Sequence, residues 1–121
     1  MFLEKIILSI TLSHSKDLII LVTSGASIAN IEINALRPRR EDVDSLEETL
    51  ESMISTLYSI KDNPEECLGS VRVRFEHRRL LRSEYYLSKE YSIDDGEDRD
   101  QMILDAIRDM ESILTRVRGL L

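Results

Sequence analysis

The clearest pattern in the chain is an apolar stripe that runs from Val43 to Ile60. Its apolar residues are spaced three or four positions apart: Val43, Leu46, Leu50, Met53, Leu57 and Ile60. This spacing places all six on one side of an α-helix. Pro38 precedes the stripe and Pro64 follows it, and prolines favour the ends of helices. The sequence therefore predicts an amphipathic helix that covers another layer of the fold.

A second amphipathic helix is predicted after the acidic segment 94–98, which suits a capped helix start. Its ten apolar positions form a wider stripe: Met102, Ile103, Ala106, Ile107, Met110, Ile113, Leu114, Val117, Leu120 and Leu121. One interpretation buries this helix between a sheet and the first helix. The other interpretation, a homodimer, uses four of these side chains as the interface: Met110, Ile113, Leu114 and Val117.

The first 36 residues are rich in β-branched side chains, which favour strands. Apolar and polar positions alternate over 6–13 and 31–35, and the run 18–23 is apolar throughout. Alternation is typical of a half-buried strand, and a continuous apolar run suits a central strand. Because polar turns separate these runs, we predict a three-stranded antiparallel meander. A helical interpretation of this segment remains as the alternative.

Residues 70–93 return to the period of two. Odd-numbered positions from Val71 to His77 share one side, and even-numbered positions from Arg72 to Arg78 share the other. A second alternating run follows, so a turn within 78–82 would close a β-hairpin, with a helix as the alternative. The whole chain is therefore predicted as one α+β domain, residues 1–121. Its order is β-β-β-α-β-β-α, with a mainly antiparallel sheet and both helices packed on one face.

Composition narrows the class of protein. The chain has 121 residues, 42% of them apolar, and a net charge of −7, which disfavours non-specific binding to nucleic acid or acidic membranes. Cys67 is the only cysteine, so no intrachain disulfide can form and a cytoplasmic location is expected. The apolar run 6–24 is interrupted by charges and by His14, so no transmembrane helix is expected. No secretory leader is expected either, because Glu4 stands where such a leader is basic.

Candidate chemistry is sparse. His14 and His77 are the only histidines, and neither belongs to a close-spaced cluster of the zinc-binding kind. The segment 24–27 lacks the Gly-Lys-Ser/Thr of a phosphate-binding loop. The acidic segment 94–98 lacks the alternating ligands and distal glutamate of a calcium loop. We therefore expect no catalytic residues, no cofactor and no metal, and a protein that is not an enzyme.

The charge pattern gives the strongest indication of a binding surface. Residues 70–93 hold six basic and three acidic side chains within an acidic chain. Guanidinium groups suit carboxylates and phosphates, although here they could also be solvated or pair with carboxylates of the same chain. The predicted partner-binding residues are Arg72, Arg74, Arg78, Arg79 and Arg82.

These patterns predict a non-enzymatic protein-interaction module that acts as a homodimer: an adaptor, a chaperone-like protein or a small subunit of a larger assembly. Its expected partner is a protein with an acidic surface. The alternative is an accessory nucleic-acid-binding protein that uses the arginine-rich segment 72–82. A small enzyme or ligand-binding domain is the third possibility. In order and acidity the chain resembles the secretion-chaperone architecture at the level of fold only, without the expected leading helix and without a family motif.

Overall fold

The computed structural model describes residues 3–14, 28–63, 68–80, 82–93 and 98–121. The described elements are, in chain order, β1 (Glu4–His14), β2 (Ile28–Ala35), α1 (Arg40–Lys61), β3 (Leu68–Arg79), β4 (Arg82–Ser92) and α2 (Arg99–Arg118). The predicted α+β class is confirmed, and the predicted order of elements fits this structure. The predicted strand at 18–23 lies outside the described residues.

The four strands form one antiparallel sheet in the order β2-β1-β3-β4. β1 therefore has a neighbour on both edges: Ile6 lies opposite Ile33 of β2 and opposite His77 of β3. A meander would place the first and third strands of segment 1–36 parallel and apart, whereas β1 and β2 pair directly and antiparallel. Two neighbours cover both edges of a strand whose apolar side chains at Ile6, Leu8 and Ile10 are fully buried.

The core lies between one face of the sheet and the two helices. The strand positions that face the helices alternate with polar ones, and the six predicted stripe residues of α1 are all buried. Apolar side chains recur about every second residue in the strands and every 3.6 residues in the helices, and both sets face one apolar layer. The other face of the sheet is not covered by either helix, and we call it the open face.

The wide stripe of α2 is explained by two contacts within the chain. One part of it packs on the sheet and another on α1, so Met110, Ile113 and Val117 are fully buried and Leu114 is only 7% exposed. The four residues predicted as a dimer interface, Met110, Ile113, Leu114 and Val117, are therefore core residues. The predicted homodimer was inferred from this apolar surface, which is buried within the chain itself. The assignment of these four residues to a dimer interface is therefore corrected.

The predicted hairpin is present, and it turns at Leu80. Arg79 lies opposite Arg82, and the φ angle of Leu80 is 57°, in the left-handed region that bulky side chains rarely adopt. Hairpin turns of this length usually place glycine or asparagine there. The Leu80 N–H donates a hydrogen bond of 2.6 Å to the carbonyl oxygen of Leu3. A β-bulge follows, because His77 lies opposite Tyr85 while Arg78 lies opposite Ser83, leaving Glu84 as the extra residue.

A buried arginine joins the start of α2 to the end of α1. The guanidinium of Arg99 donates to the carbonyl oxygens of Ile60 (2.7 Å), Lys61 (3.3 Å) and Asn63 (3.3 Å). The last carbonyls of a helix have no intrahelical partner and form the negative end of its dipole. Arg99 therefore caps α1 from another element of the chain.

Tyr91 of β4 contacts α2 on the face of the sheet that the helices cover. Its hydroxyl donates a hydrogen bond to the carboxylate of Asp109. Burial, with further contributions from this hydrogen bond and the Asp109 charge, raises the pKa of the Tyr91 hydroxyl well above its ordinary value. The phenolate would lose water and face a carboxylate, so the neutral form is favoured in the folded chain.

We expect the protonated Tyr91 to contribute to stability at neutral pH. A folded pKa above the unfolded value gives a contribution that is complete below about pH 10 and is lost as pH rises through the folded pKa. An ultraviolet titration should therefore show a tyrosine whose ionisation is delayed until the chain unfolds. Tyr91→Phe should remove that delayed step. A variant that keeps the delayed step would assign it to a different tyrosine.

Candidate partner-binding site

Three of the predicted partner-binding arginines lie on the open face, each beside a carboxylate of the same chain. Arg72 lies 3.2 Å from Glu90, and Arg74 and Arg78 lie 3.3 Å and 2.7 Å from Glu76. Two guanidinium groups thus enclose Glu76, which is buried although it lies on the face of the sheet that neither helix covers. The alternation predicted for this strand is confirmed, and each of its three open-face arginines is paired with a glutamate of the same chain.

The other two predicted arginines, Arg79 and Arg82, lie opposite each other beside the hairpin turn. Arg79 approaches Glu4 at 3.1 Å, and Arg82 approaches Glu84 at 3.2 Å. Exposed ion pairs contribute little stability, yet they neutralise the charge that a partner would meet. The role of the five arginines in partner binding stays a prediction. Each of them already has a carboxylate partner within the chain.

A buried polar pair lies at the same end of the sheet. His77 and Glu4 are 3% and 5% exposed, and the Nε2 atom of His77 lies 3.2 Å from Oε1 of Glu4. The same oxygen accepts a hydrogen bond of 3.1 Å from Nε of Arg79. The Nδ1 atom of the same ring is also buried, and it has no hydrogen-bond partner among the described residues. His77 thus lies on the side of β3 that the alternation predicts, where it is buried and pairs with Glu4.

Beside this pair lies a cavity of about 400 Å³, which we call the polar compartment. It is lined by Glu4, His77, Arg79, Glu84, Thr115, Arg116, Gly119 and Leu120. The guanidinium carbon of Arg116 lies 5.3 Å from the centre of the Tyr85 ring, a cation–π contact. The Tyr85 ring packs in turn against Phe75, with 5.9 Å between ring centres. A fixed cation therefore forms part of the wall.

An adjoining groove of about 590 Å³, the apolar compartment, shares Glu4, Arg79 and Leu120 with the polar one. Its other lining residues are Leu3, Leu36, Arg37, Pro38, Leu80 and Leu121. Seven large apolar side chains are exposed among the described residues, and four of them meet here: Leu3 (38%), Leu36 (67%), Leu80 (66%) and Leu121 (59%). Exposed apolar clusters of this kind mark interaction sites. We call the two compartments together the end cleft.

The end cleft also holds two cations that have no carboxylate partner among the described residues. Arg37 and Arg116 have no carboxylate partner within the described part of the chain, whereas Arg79 is paired with Glu4. The other acidic wall residue, Glu84, is paired with Arg82. Of the five predicted partner-binding arginines, only Arg79 lines the cleft.

Sequence analysis missed most of this site, because its residues come from segments far apart in the chain. Leu3 precedes β1, Leu36 and Arg37 follow β2, and Arg116 lies in the last turn of α2. One signal was available in the sequence. The predicted turn at 78–82 contains two leucines and no glycine, and an apolar turn residue is a reason to expect a contact surface.

The remaining candidate chemistry gives no further site among the described residues. Over residues 3–14, 28–63, 68–80, 82–93 and 98–121, no three histidine, cysteine or carboxylate side chains are grouped as a metal ion would require. In the same ranges, neither helix has a stretch long and apolar enough to cross a bilayer. Cys67 and the side chain of His14 are not among the parts of the chain that the structure describes. Comparisons with protein-family models, with curated proteins and with solved structures find no match.

Proposed function

We propose that this protein is a non-enzymatic interaction module that binds an apolar, acidic segment of a partner protein in the end cleft. The observation that supports this most is the convergence of Leu3, Leu36, Leu80 and Leu121 on one groove. Burying one leucine side chain is worth about 1.5–3 kcal/mol relative to leaving it exposed. A partner segment that covers several of them would gain enough free energy for specific binding.

Charge favours an acidic occupant over other kinds. Arg37 and Arg116 are the cations of the cleft without a carboxylate partner among the described residues. The net charge of −7 for the whole chain opposes long nucleic acid. The alternative of nucleic-acid binding through 72–82 has less support, because the arginines there are already paired with glutamates.

The backbone of Leu80 gives independent support. A left-handed conformation costs a non-glycine residue about 1–2 kcal/mol, and Leu80 offsets little of this by burial because it is 66% exposed. Residues held in such conformations cluster at functional sites. A leucine at this turn therefore fits a role in contacting a partner better than a role in stabilising the hairpin.

The test begins with random peptides displayed on phage and selected on the folded wild-type protein. We expect the selected peptides to combine leucine-like residues with aspartate or glutamate. Leu80→Asn should weaken binding of a selected synthetic peptide by at least about tenfold, because it removes an apolar contact. The same variant should raise the free energy of unfolding by about 1 kcal/mol, since asparagine tolerates the left-handed region.

Two matched variants make this experiment decisive. Ile28→Asn removes an equally exposed apolar side chain at the far edge of the sheet, and Arg72→Gln removes a cation of the open face. Both should bind the selected peptide as the wild type does. If Leu80→Asn binds the peptide unchanged, the end cleft is not the site. If sedimentation instead finds a dimer that Leu80→Asn dissociates, the occupant of the cleft is a second copy of this chain.

A further inference from the structure

The arrangement of the two compartments indicates what the bound segment carries beside its apolar anchor. The compartments share Glu4, Arg79 and Leu120, so they are adjacent along one wall. A segment that lies along this shared wall can place an apolar side chain in the apolar compartment and a neighbouring side chain in the polar one. The chemistry of that compartment therefore selects the neighbouring side chain.

Four charged side chains and one histidine face the polar compartment, and all but one are already paired. Glu4 accepts from His77 and Arg79, and Glu84 is paired with Arg82 outside the wall. Within the described residues, the Arg116 guanidinium makes a cation–π contact with Tyr85 and has no ion pair or hydrogen bond. That contact leaves the edge of the planar guanidinium, with its N–H groups, for an acceptor.

We infer that the segment bound in the end cleft carries a carboxylate next to its apolar anchor, and that Arg116 is the residue that pairs with it. This inference rests on the proposed function. Arg116 is partly buried, whereas Arg37, the other cleft cation without a carboxylate partner among the described residues, is exposed at the apolar compartment. A partly buried pair is less screened by water and salt, so Arg116 gains more from a carboxylate.

The experiment uses a peptide selected on the wild type, synthesised with glutamate and with glutamine at its acidic position. Calorimetric titration measures both peptides against the wild type, Arg116→Gln and the matched variant Arg37→Gln. The wild type should prefer the glutamate peptide by about tenfold. Arg116→Gln should bind both peptides with similar affinity, and Arg37→Gln should keep most of the preference. Circular dichroism establishes that each variant is folded.

The outcomes separate this inference from the proposed function. Equal affinity of the wild type for both peptides, with binding still lost in Leu80→Asn, overturns the role of the carboxylate and leaves the cleft as the site. A preference that survives in Arg116→Gln and disappears in Arg37→Gln overturns the assignment to Arg116. Binding that is unchanged in Leu80→Asn overturns the proposed function itself. Should Arg116→Gln not fold, Arg116→Lys replaces it: the lysine variant should lose part of the preference, and an unchanged preference overturns the assignment.

Discussion

Replacing Leu50 by alanine is expected to lower the free energy of unfolding by about 2–5 kcal/mol. Leu50 lies in the middle of the α1 stripe and is fully buried between the helices and the sheet. Truncation removes apolar contacts and leaves a cavity that a close-packed interior fills only in part. Urea denaturation followed by circular dichroism measures the change, and an unaltered slope would show that the unfolded state is the same.

Glu48→Ala is the control for this effect on the same helix. Glu48 is exposed on the side of α1 away from the stripe, so its truncation should change the free energy of unfolding by less than about 0.5 kcal/mol. Equal denaturation midpoints for Leu50→Ala and Glu48→Ala would contradict the assignment of the buried face. The contrast between the two therefore tests how α1 is oriented on the sheet.

Arg99→Met should destabilise the fold by about 3 kcal/mol. Methionine keeps much of the apolar stem but removes the donors to Ile60, Lys61 and Asn63 at the end of α1. The Ile60 carbonyl keeps the Asn63 N–H as a donor, so the cost comes from losing hydrogen bonds to a charged group. Such bonds contribute about 1.5–3 kcal/mol each, and water at the helix end offsets part of that total. Thermal unfolding measured by calorimetry should show a clear decrease in melting temperature.

Arg108→Met is the matched control, because it makes the same substitution on the same helix. The Arg108 side chain is 73% exposed and lies 3.8 Å from Asp105, a surface pair that contributes about 0–1 kcal/mol. If both arginine variants melt at the same temperature, Arg99 is not a cap for α1. A loss confined to Arg99→Met would assign the stability to the junction between the helices.

The elements that periodicity defines could be predicted from the sequence. The stripe from Val43 to Ile60 and the alternation from Val71 to His77 each have one arrangement that buries their apolar side chains. Both appear in the structure as predicted. Local pattern was sufficient here because the period alone identifies which face of an element is apolar.

What covers an apolar face could not be predicted in the same way. The stripe of α2 indicates how much of the helix is buried. It does not distinguish burial against a second copy of the chain from burial against the sheet and α1. Similarly, the alternation in β1 does not specify its neighbours, so the direct pairing with β2 was missed. The end cleft was missed for a related reason, since Leu36, Leu80 and Arg116 become neighbours only through the tertiary fold.

The central place of β1 has a consequence for the order of events during synthesis. β1 is made before β3, one of its two neighbours in the sheet, and β3 ends only at Arg79. Pairing across such a long loop is entropically costly and slow to form. Until β3 has left the ribosome, the nascent chain exposes one unpaired edge of a strand rich in isoleucine and leucine. Such an edge can pair with other chains, so a partly synthesised chain is more exposed to aggregation than the folded protein.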